Sequence, residues 1–416
     1  MGSDVIKSLE KNEIITVSIF RTLKEDIATA YPDIHSVRLS TVFTFVESGM
    51  RDQRVTVTYL GRGLKNSSDT DKKHDIKRAD RLIGNPYLHS ERLYFYEFMT
   101  EHLVGHNPHP LVIVDWSPIN GQEIFQVLRA SIPMGGRALT LYEKVYPESE
   151  LNSEKAHIDL LDNLAHCLPV DCQPIILSDA IFKTPWFQAI EKKGWFWVGR
   201  ARGNVCLSAD SIIWTRCKTW FEQATNRATK LGDIYYSKTQ KFQCKAVIYQ
   251  NKKKGRIAKK KRGGKSQCTT DKYQQAKAIE PWLLVYHLPE HEKVSATKVV
   301  KLYAQRMQIE EAFRDTKNGK LGLGLEYANS KSAKRYDNLI LIASLITFML
   351  WCVGVVSAQL TQSRLLQANT ERRKCVLSYV YLGREVIDDT RYCPDEPLLI
   401  YVCSQLSKLT IQFEDL

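Results

Sequence analysis

The chain has 416 residues, 44% of them hydrophobic, with 8 Trp, 14 Phe and 19 Tyr; this excludes a disordered or collagen-like polymer and leaves room for two or three domains around a full-sized core. Lys and Arg number 59 against 46 acids, a formal net charge of +13, which favours a polyanionic partner, nucleic acid before anionic membrane. The ten Cys are irregularly spaced without a CxxC, and His102 and His106 follow no Cys pair; a disulfide framework and a zinc finger are both unsupported, and reduced thiols in a cytoplasmic protein without a signal peptide are expected.

Residues 1–105 read as mainly helical. Apolar residues recur at helical spacing in 15–30 and in 78–103, while 61–77 is polar and reads as a loop or linker. From residue 110 the pattern changes. Leu111-Val112-Ile113-Val114-Asp115 is a β-branched run ending in a carboxylate. Glu123–Ile132 and Arg137–Val145 follow as strands joined at Met134-Gly135-Gly136. Ser153–Cys167 is helical, Pro174–Asp179 is a second buried strand ending in a carboxylate, Lys183–Lys193 is a helix and Gly194–Gly199 a fifth strand. Three strands, helix, strand, helix, strand is the element order of an α/β ribonuclease-H-like fold. In that fold strands one and four are neighbours, so Asp115 and Asp179 would meet at adjacent strand ends.

Residues 201–296 interrupt this pattern as a basic, mainly β insertion, with strand-like runs at Phe242–Tyr249 and Trp282–His287. Between Asp233 and Asp271 there is no acid but there are 12 Lys or Arg, densest in Lys252–Lys265. Such a run reads either as a solvated loop or as a sequence-independent contact with DNA phosphates. The helical pattern returns at Val299–Lys317. Leu339–Val356 then runs 18 residues without a charge, which meets the length criterion for a membrane span. It is a single segment interrupted by Ser344, Thr347 and Gly354, and a helix buried on all sides of a large core is the reading adopted. Residues 366–416 carry no recognisable chemistry.

One helix gathers charge. At roughly 100° per residue, Tyr303, Arg306, Glu310, Arg314 and Lys317 would share an arc of roughly 80°, beside an apolar face of Leu302, Ile309 and Phe313. Alone, this is an ordinary surface stripe of i,i+4 ion pairs. Taken with Asp115 and Asp179, Glu310 completes a set of hard oxygen ligands suited to two Mg²⁺ ions.

The pattern Tyr303-x2-Arg306-x3-Glu310-x6-Lys317, with two strand-end aspartates before it, resembles the YREK signature of DDE transposases from bacterial insertion sequences, the group containing the Tn-ten and Tn-five transposases. The spacings of 64 residues from Asp115 to Asp179 and 131 from Asp179 to Glu310, the insertion before the glutamate and the apolar helix after it also fit. The resemblance covers about 105–365 well and the rest weakly.

It implies that Asp115, Asp179 and Glu310 hold two Mg²⁺ ions, with Mn²⁺ able to substitute, and that Tyr303, Arg306, Arg314 and Lys317 contact transposon-end DNA. Trp282, 28 residues before Glu310, resembles the aromatic that stacks on a flipped base, although a Trp in a strand also reads as core. Arg200 resembles a basic residue that steadies the flipped nucleotide. In the basic run Lys252, Lys253, Lys254, Lys259, Lys260, Lys261 and Arg262 are candidate phosphate contacts. The implied organisation is a helical end-binding region at 1–105, catalytic core at 106–200 and 297–365 around the insertion at 201–296, and a helical C-terminal region at 366–416 offering a dimer contact. The implied partners are transposon-end and target DNA and a second copy of the chain, with no membrane. A hydrolysing ribonuclease-H-like nuclease and a transposase-derived DNA-binding regulator are the alternatives.

Overall fold

The computed structural model describes residues 21–64, 70–122, 124–251, 268–269, 280–289, 294–320, 322–360, 363–368, 376–389, 405–411, 413 and 416. The basic run at 252–265 therefore lies outside the described residues. The main helices are α1 (Ser36–Asp52), α2 (Val57–Arg62), α3 (Lys72–Ile83), α4 (Pro86–Val104), α5 (Glu154–Cys167), α6 (Thr184–Lys192), α7 (Ala296–Ala304), α8 (Met307–Lys317), α9 (Ala333–Gln359) and α10 (Tyr379–Asp388). The chain divides into two units, residues 1–172 with 307–411 and residues 173–306 with 412–416.

The first unit is built on three antiparallel strands, β1 (Leu111–Pro118), β2 (Phe125–Pro133) and β3 (Ala138–Pro147), in the order β3-β2-β1. Gly135 and Gly136 turn the β2–β3 hairpin with φ of 71° and 116°, a region that disfavours residues with a Cβ. Strand side chains alternate between faces. Lys144 and Tyr146 bond Asp159 of α5 on one face. Glu143, the residue before Lys144, accepts from Ser344 of α9 on the other at 2.6 Å. Helix α8 lies on that second face, through contacts with Arg129 of β2.

The uncharged segment at 339–356 lies inside α9. Among the described residues α9 is the one helix long and apolar enough to cross a membrane, and 94% of its most apolar window is buried. It packs against α1, α4, α10 and β3. The approach to α10 is close: a Cβ on Gly354 would stand 1.8 Å from the Tyr379 carbonyl oxygen, and one on Gly383 would stand 2.0 Å from that of Leu350. Two glycines, one on each helix, therefore let the backbones touch.

The second unit carries β4 (Ile175–Ser178), β5 (Phe196–Ala201), β6 (Cys206–Ser208), β7 (Thr215–Arg216), β8 (Thr229–Tyr236), β9 (Phe242–Tyr249) and β10 (Trp282–His287), in the order β4-β5-β10-β9-β8-β6-β7. β4 and β5 are parallel, as a strand–helix–strand unit through α6 requires. Phe187 of α6 stacks on Trp197 of β5 at 4.1 Å. Gly199 makes room for it, since a Cβ there would meet the Phe187 ring at 2.5 Å.

The mixed α/β architecture fits a ribonuclease-H-like core, and the element order β1-β2-β3-α5-β4-α6-β5 is the one read from the sequence. Three helical expectations need correction. The helix placed at 78–103 is two: α3 ends at Ile83, and α4 starts at Pro86 with Asn85 accepting from the Tyr87 and Leu88 amides. An Asn-Pro pair is a start signal, because proline fits the first helical turn and asparagine caps it. The loop expected through 77 is already helix from Lys72. The helix expected over 299–317 breaks after Ala304. Gln305 and Arg306 donate to carbonyls three residues back, a tightened turn that ends α7, and α8 begins at Met307. Tyr303 therefore lies on α7, Arg306 in the turn, and Glu310, Arg314 and Lys317 on α8.

Gly354→Ala should lower unfolding free energy by about 1–3 kcal/mol, the usual range for overpacking. Gly121→Ala, where an added Cβ meets nothing within 4 Å, should stay near wild type. Urea unfolding of both variants is the check, and equal midpoints would show that the α9–α10 crossing yields freely.

Candidate active site

β1 delivers Asp115 where its burial relaxes: the four residues before it are fully buried and Asp115 is half-buried. Its Oδ1 accepts from the Trp116 amide at 2.9 Å. Trp116 points to the opposite face and anchors the strand end, with Nε1 donating to His157 Nε2 at 3.3 Å and the ring 5.5 Å from Tyr146. Burial lowers the His157 pKa to about 4, so at neutral pH the imidazole is uncharged and can accept that bond.

α8 delivers Glu310 on its exposed side, while Ile309, Ala312, Phe313 and Thr316 form the buried side. The helix is fixed along its length. Near its start, Gln308 Oε1 accepts from the Met134 and Gly136 amides of the hairpin turn at 3.1 and 2.9 Å. On its flank, Asp315 pairs with Arg137 at the start of β3. At its end, Lys317 Nζ donates to Ser117 Oγ at 2.7 Å and to the Pro118 carbonyl at 3.2 Å, both on β1. Burial lowers the Lys317 pKa, and the positive charge of Arg129 adds to this. Lys317 thus binds the strand that holds Asp115.

Asp115 and Glu310, 195 residues apart in sequence, line one open cleft of about 390 Å³ together with Ser117, Phe313, Arg314 and Lys317. Carboxylates and cations share a partly solvated wall, so the cleft offers hard oxygen donors beside groups that attract phosphate. Among the described residues no three His, Cys, Asp or Glu side chains cluster as a metal site would.

Asp179 belongs to the second unit, one residue beyond β4, half-buried, with Oδ1 accepting from the Ile181 amide at 2.8 Å. That unit also gathers the aromatic and basic candidates. Trp282, half-buried at the start of β10, stands edge-on to Tyr303 of α7 at 5.1 Å and to Tyr249 of β9 at 6.2 Å. Tyr303 is buried, and Arg306 lies 5.9 Å from its ring. Arg200 of β5 donates through Nη2 to the carbonyls of Glu280 and Pro281 at 3.3 and 3.2 Å. Its Nε is buried without a hydrogen-bond partner among the described residues. Burial lowers the Arg200 pKa; Arg202 and Arg306 push the same way, against Tyr303 and Glu280.

The five residues expected on one stripe thus fall into two groups: Tyr303 and Arg306 with Trp282 and Arg200 in the second unit, and Glu310, Arg314 and Lys317 with Asp115 in the first. Sequence reasoning passed over Arg129, Gln308 and Ser117, which position the first group. Arg129 had a signal, a lone cation inside the otherwise uncharged run Phe125–Pro133. Gln308 and Ser117 had none.

A search of curated proteins gives no match to the chain. The model of the transposase DDE domain family matches residues 106–346, more than half of the chain and the whole stretch from β1 into α9. With carboxylates of that stretch opening on one cleft, the chain belongs to the DDE transposase family.

Proposed function

We propose that this chain, a metal-dependent nuclease and strand transferase as DDE transposases are, is a cut-and-paste transposase of the YREK group, working as a dimer in the bacterial cytoplasm on paired transposon ends. The observation that carries the reading is the shared cleft of Asp115 and Glu310, with Arg314 and Lys317 on its wall. Asp115, Asp179 and Glu310 would hold two divalent ions, Mg²⁺ or Mn²⁺, which supply activation of the attacking oxygen and neutralisation of the leaving one. The donor set fits such ions, being all carboxylate and partly exposed.

The chain's own residues have separate tasks. Arg314, exposed one turn beyond Glu310, meets the scissile strand's phosphates. Water attacks the end phosphodiester and the 3′-oxygen leaves as a hydroxyl. That 3′-OH then attacks a phosphodiester of the opposite strand, from which the flanking DNA leaves through its 3′-oxygen, closing a hairpin. Water reopens the hairpin, and the 3′-OH attacks a target phosphodiester, whose 3′-oxygen leaves. Hairpin closure bends one strand sharply, and Trp282 beside Tyr303 offers a π-face to a base turned out of the stack. Arg200 brings an under-bonded guanidinium to the same place.

End binding is assigned to the N-terminal helices, and α3 supplies the charge. Lys72, Lys73, Lys77, Arg78 and Arg81 are all exposed. Its acids are engaged elsewhere, Asp75 buried against Thr70 and Asp80 paired with Arg335. Arg78 and Arg81 also line a groove with His35, Arg38 and Thr41 of the α1 end. A helix so charged suits a DNA backbone.

Asp115→Asn, Asp179→Asn and Glu310→Gln should each abolish nicking of end DNA while leaving end binding intact, because shape is kept and an anionic ligand lost. Gel assays of nicking and of binding decide it, and near wild-type nicking by any variant removes that residue from the set. Replacing Lys73, Lys77 and Arg81 together by Gln should weaken binding to all duplexes and flatten the slope of log affinity against log salt by up to about 3. An unchanged slope would place the DNA elsewhere.

Trp282→Ala should spare the first nick and slow hairpin formation by about 5- to 150-fold, the loss of one base stack of roughly 1–3 kcal/mol, so that nicked DNA accumulates. Trp282→Phe should recover part of the rate. A well-folded Trp282→Ala protein forming hairpins at the wild-type rate contradicts the assignment.

A further inference from the structure

We propose that Arg129 is a positioning residue that sets the helix bearing Glu310 against the strand bearing Asp115. The inference rests on the reading of these two carboxylates as metal ligands. Asp115, Arg129 and Glu143 stand directly opposite one another across β1, β2 and β3, and residues so paired project from the same face of a sheet. The row therefore alternates acid, base, acid on the face that α8 covers.

Arg129 is 3% exposed and donates through Nε to Glu143 Oε2 at 2.6 Å. That bond fixes where the guanidinium lies. The rest of the group turns toward α8: its carbon is 4.6 Å from the centre of the Phe313 ring, and Nη1 reaches Thr316 Oγ1 at 3.5 Å. Phe313 is three residues from Glu310, on the next turn, and lines the same cleft. A planar cation lying over an aromatic face sets a separation that an ammonium or an alkyl chain would not. A pair needed only for stability would not require these contacts, since well-packed apolar residues serve as well as buried ion pairs or better.

Arg129→Lys keeps a charge for Glu143 and removes the planar group. Phe313→Leu leaves the Arg129–Glu143 pair and removes the ring. The full chain is assayed for the Mg²⁺ concentration giving half-maximal nicking of end DNA, for end binding without metal, and for amide exchange in α8 against α9. Each variant should raise the half-maximal Mg²⁺ concentration roughly tenfold, the lower end for groups that orient metal ligands. Metal-free end binding should not move, exchange should quicken in α8 before α9, and the double variant should be no worse than the poorer single one, as residues acting through one contact are not additive. Unchanged Mg²⁺ dependence in folded variants, additive losses, or exchange quickened equally in α8 and α9 would each overturn the proposal. Should Arg129→Lys fail to fold, Phe313→Leu carries the test alone. Should the wild-type chain nick with no divalent ion, the metal reading fails, and the exchange pattern still decides whether Arg129 places α8.

Discussion

A fully buried carboxylate, Glu143, organises the first unit. It accepts from Arg129 Nε and Ser344 Oγ, both at 2.6 Å, and its backbone oxygen accepts from Arg92 Nη2 at 2.8 Å. Arg92 in turn pairs with Asp337 of α9 at 3.2 Å, and Asp337 accepts from the Val145 amide on β3 at 2.8 Å. Burial alone would lower the Arg92 pKa, but the charge of Asp337 together with Tyr96 and Tyr142 beside it raises it overall. Two cations and two anions sit out of water with no net charge. Such a group adds little net stability over an apolar core, but removing one member strands its partner at about 3–5 kcal/mol. Its value here is geometric: it admits one arrangement of α4, β2, β3 and α9.

The same group explains why an apolar helix as long as α9 belongs in this unit. Its polar residues Asp337 and Ser344 are the ones the network uses, and Asn338 donates to the carbonyls of Ile83 and Asn85. Asp337 satisfies a backbone donor on β3, an end strand of the three, which would otherwise be open to mispairing. A bilayer would leave these groups without partners. From this frame the network extends through Arg129 to α8, and α8 in turn grips the hairpin turn through Gln308 and β1 through Lys317. Glu310 is exposed, yet the turns on either side of it are held.

What could be read from sequence followed local pattern. β1 and β4 were visible as β-branched runs with an acid at the end, and β9 and β10 match the expected Phe242–Tyr249 and Trp282–His287 to the residue. Burial of 339–356 was visible from its length and composition. The break at Gln305–Arg306 was not, because no Gly or Pro marks it. Apolar spacing runs through both helices, so a single period fits a chain that turns. The start of α3 was hidden by its polar composition, which a surface helix and a loop share. Arg129 opposite Glu143 could not be read at all, since a register shift between Ala130 and Ser131 separates the pair from the hairpin turn.

The break between α7 and α8 falls between the two groups of candidate residues. On one straight helix, Tyr303, Arg306, Glu310, Arg314 and Lys317 would move together, and a change at one would disturb the others. As built, Tyr303 is buried against Trp282 within one unit, and Lys317 is bonded to β1 within the other. Each group is ordered by neighbours of its own. Arg200 shows the same separation in its energetics. Its buried Nε lacks a partner among the described residues, a state that costs about 1–3 kcal/mol, and its pKa is already lowered by burial. A fold retains such a group where an incoming ligand completes its bonds. On the proposed reading, an anionic DNA strand passing Trp282 would offset the burial of the charge. The under-bonded arginine and the half-exposed tryptophan are, on that same reading, two parts of one binding surface within the second unit.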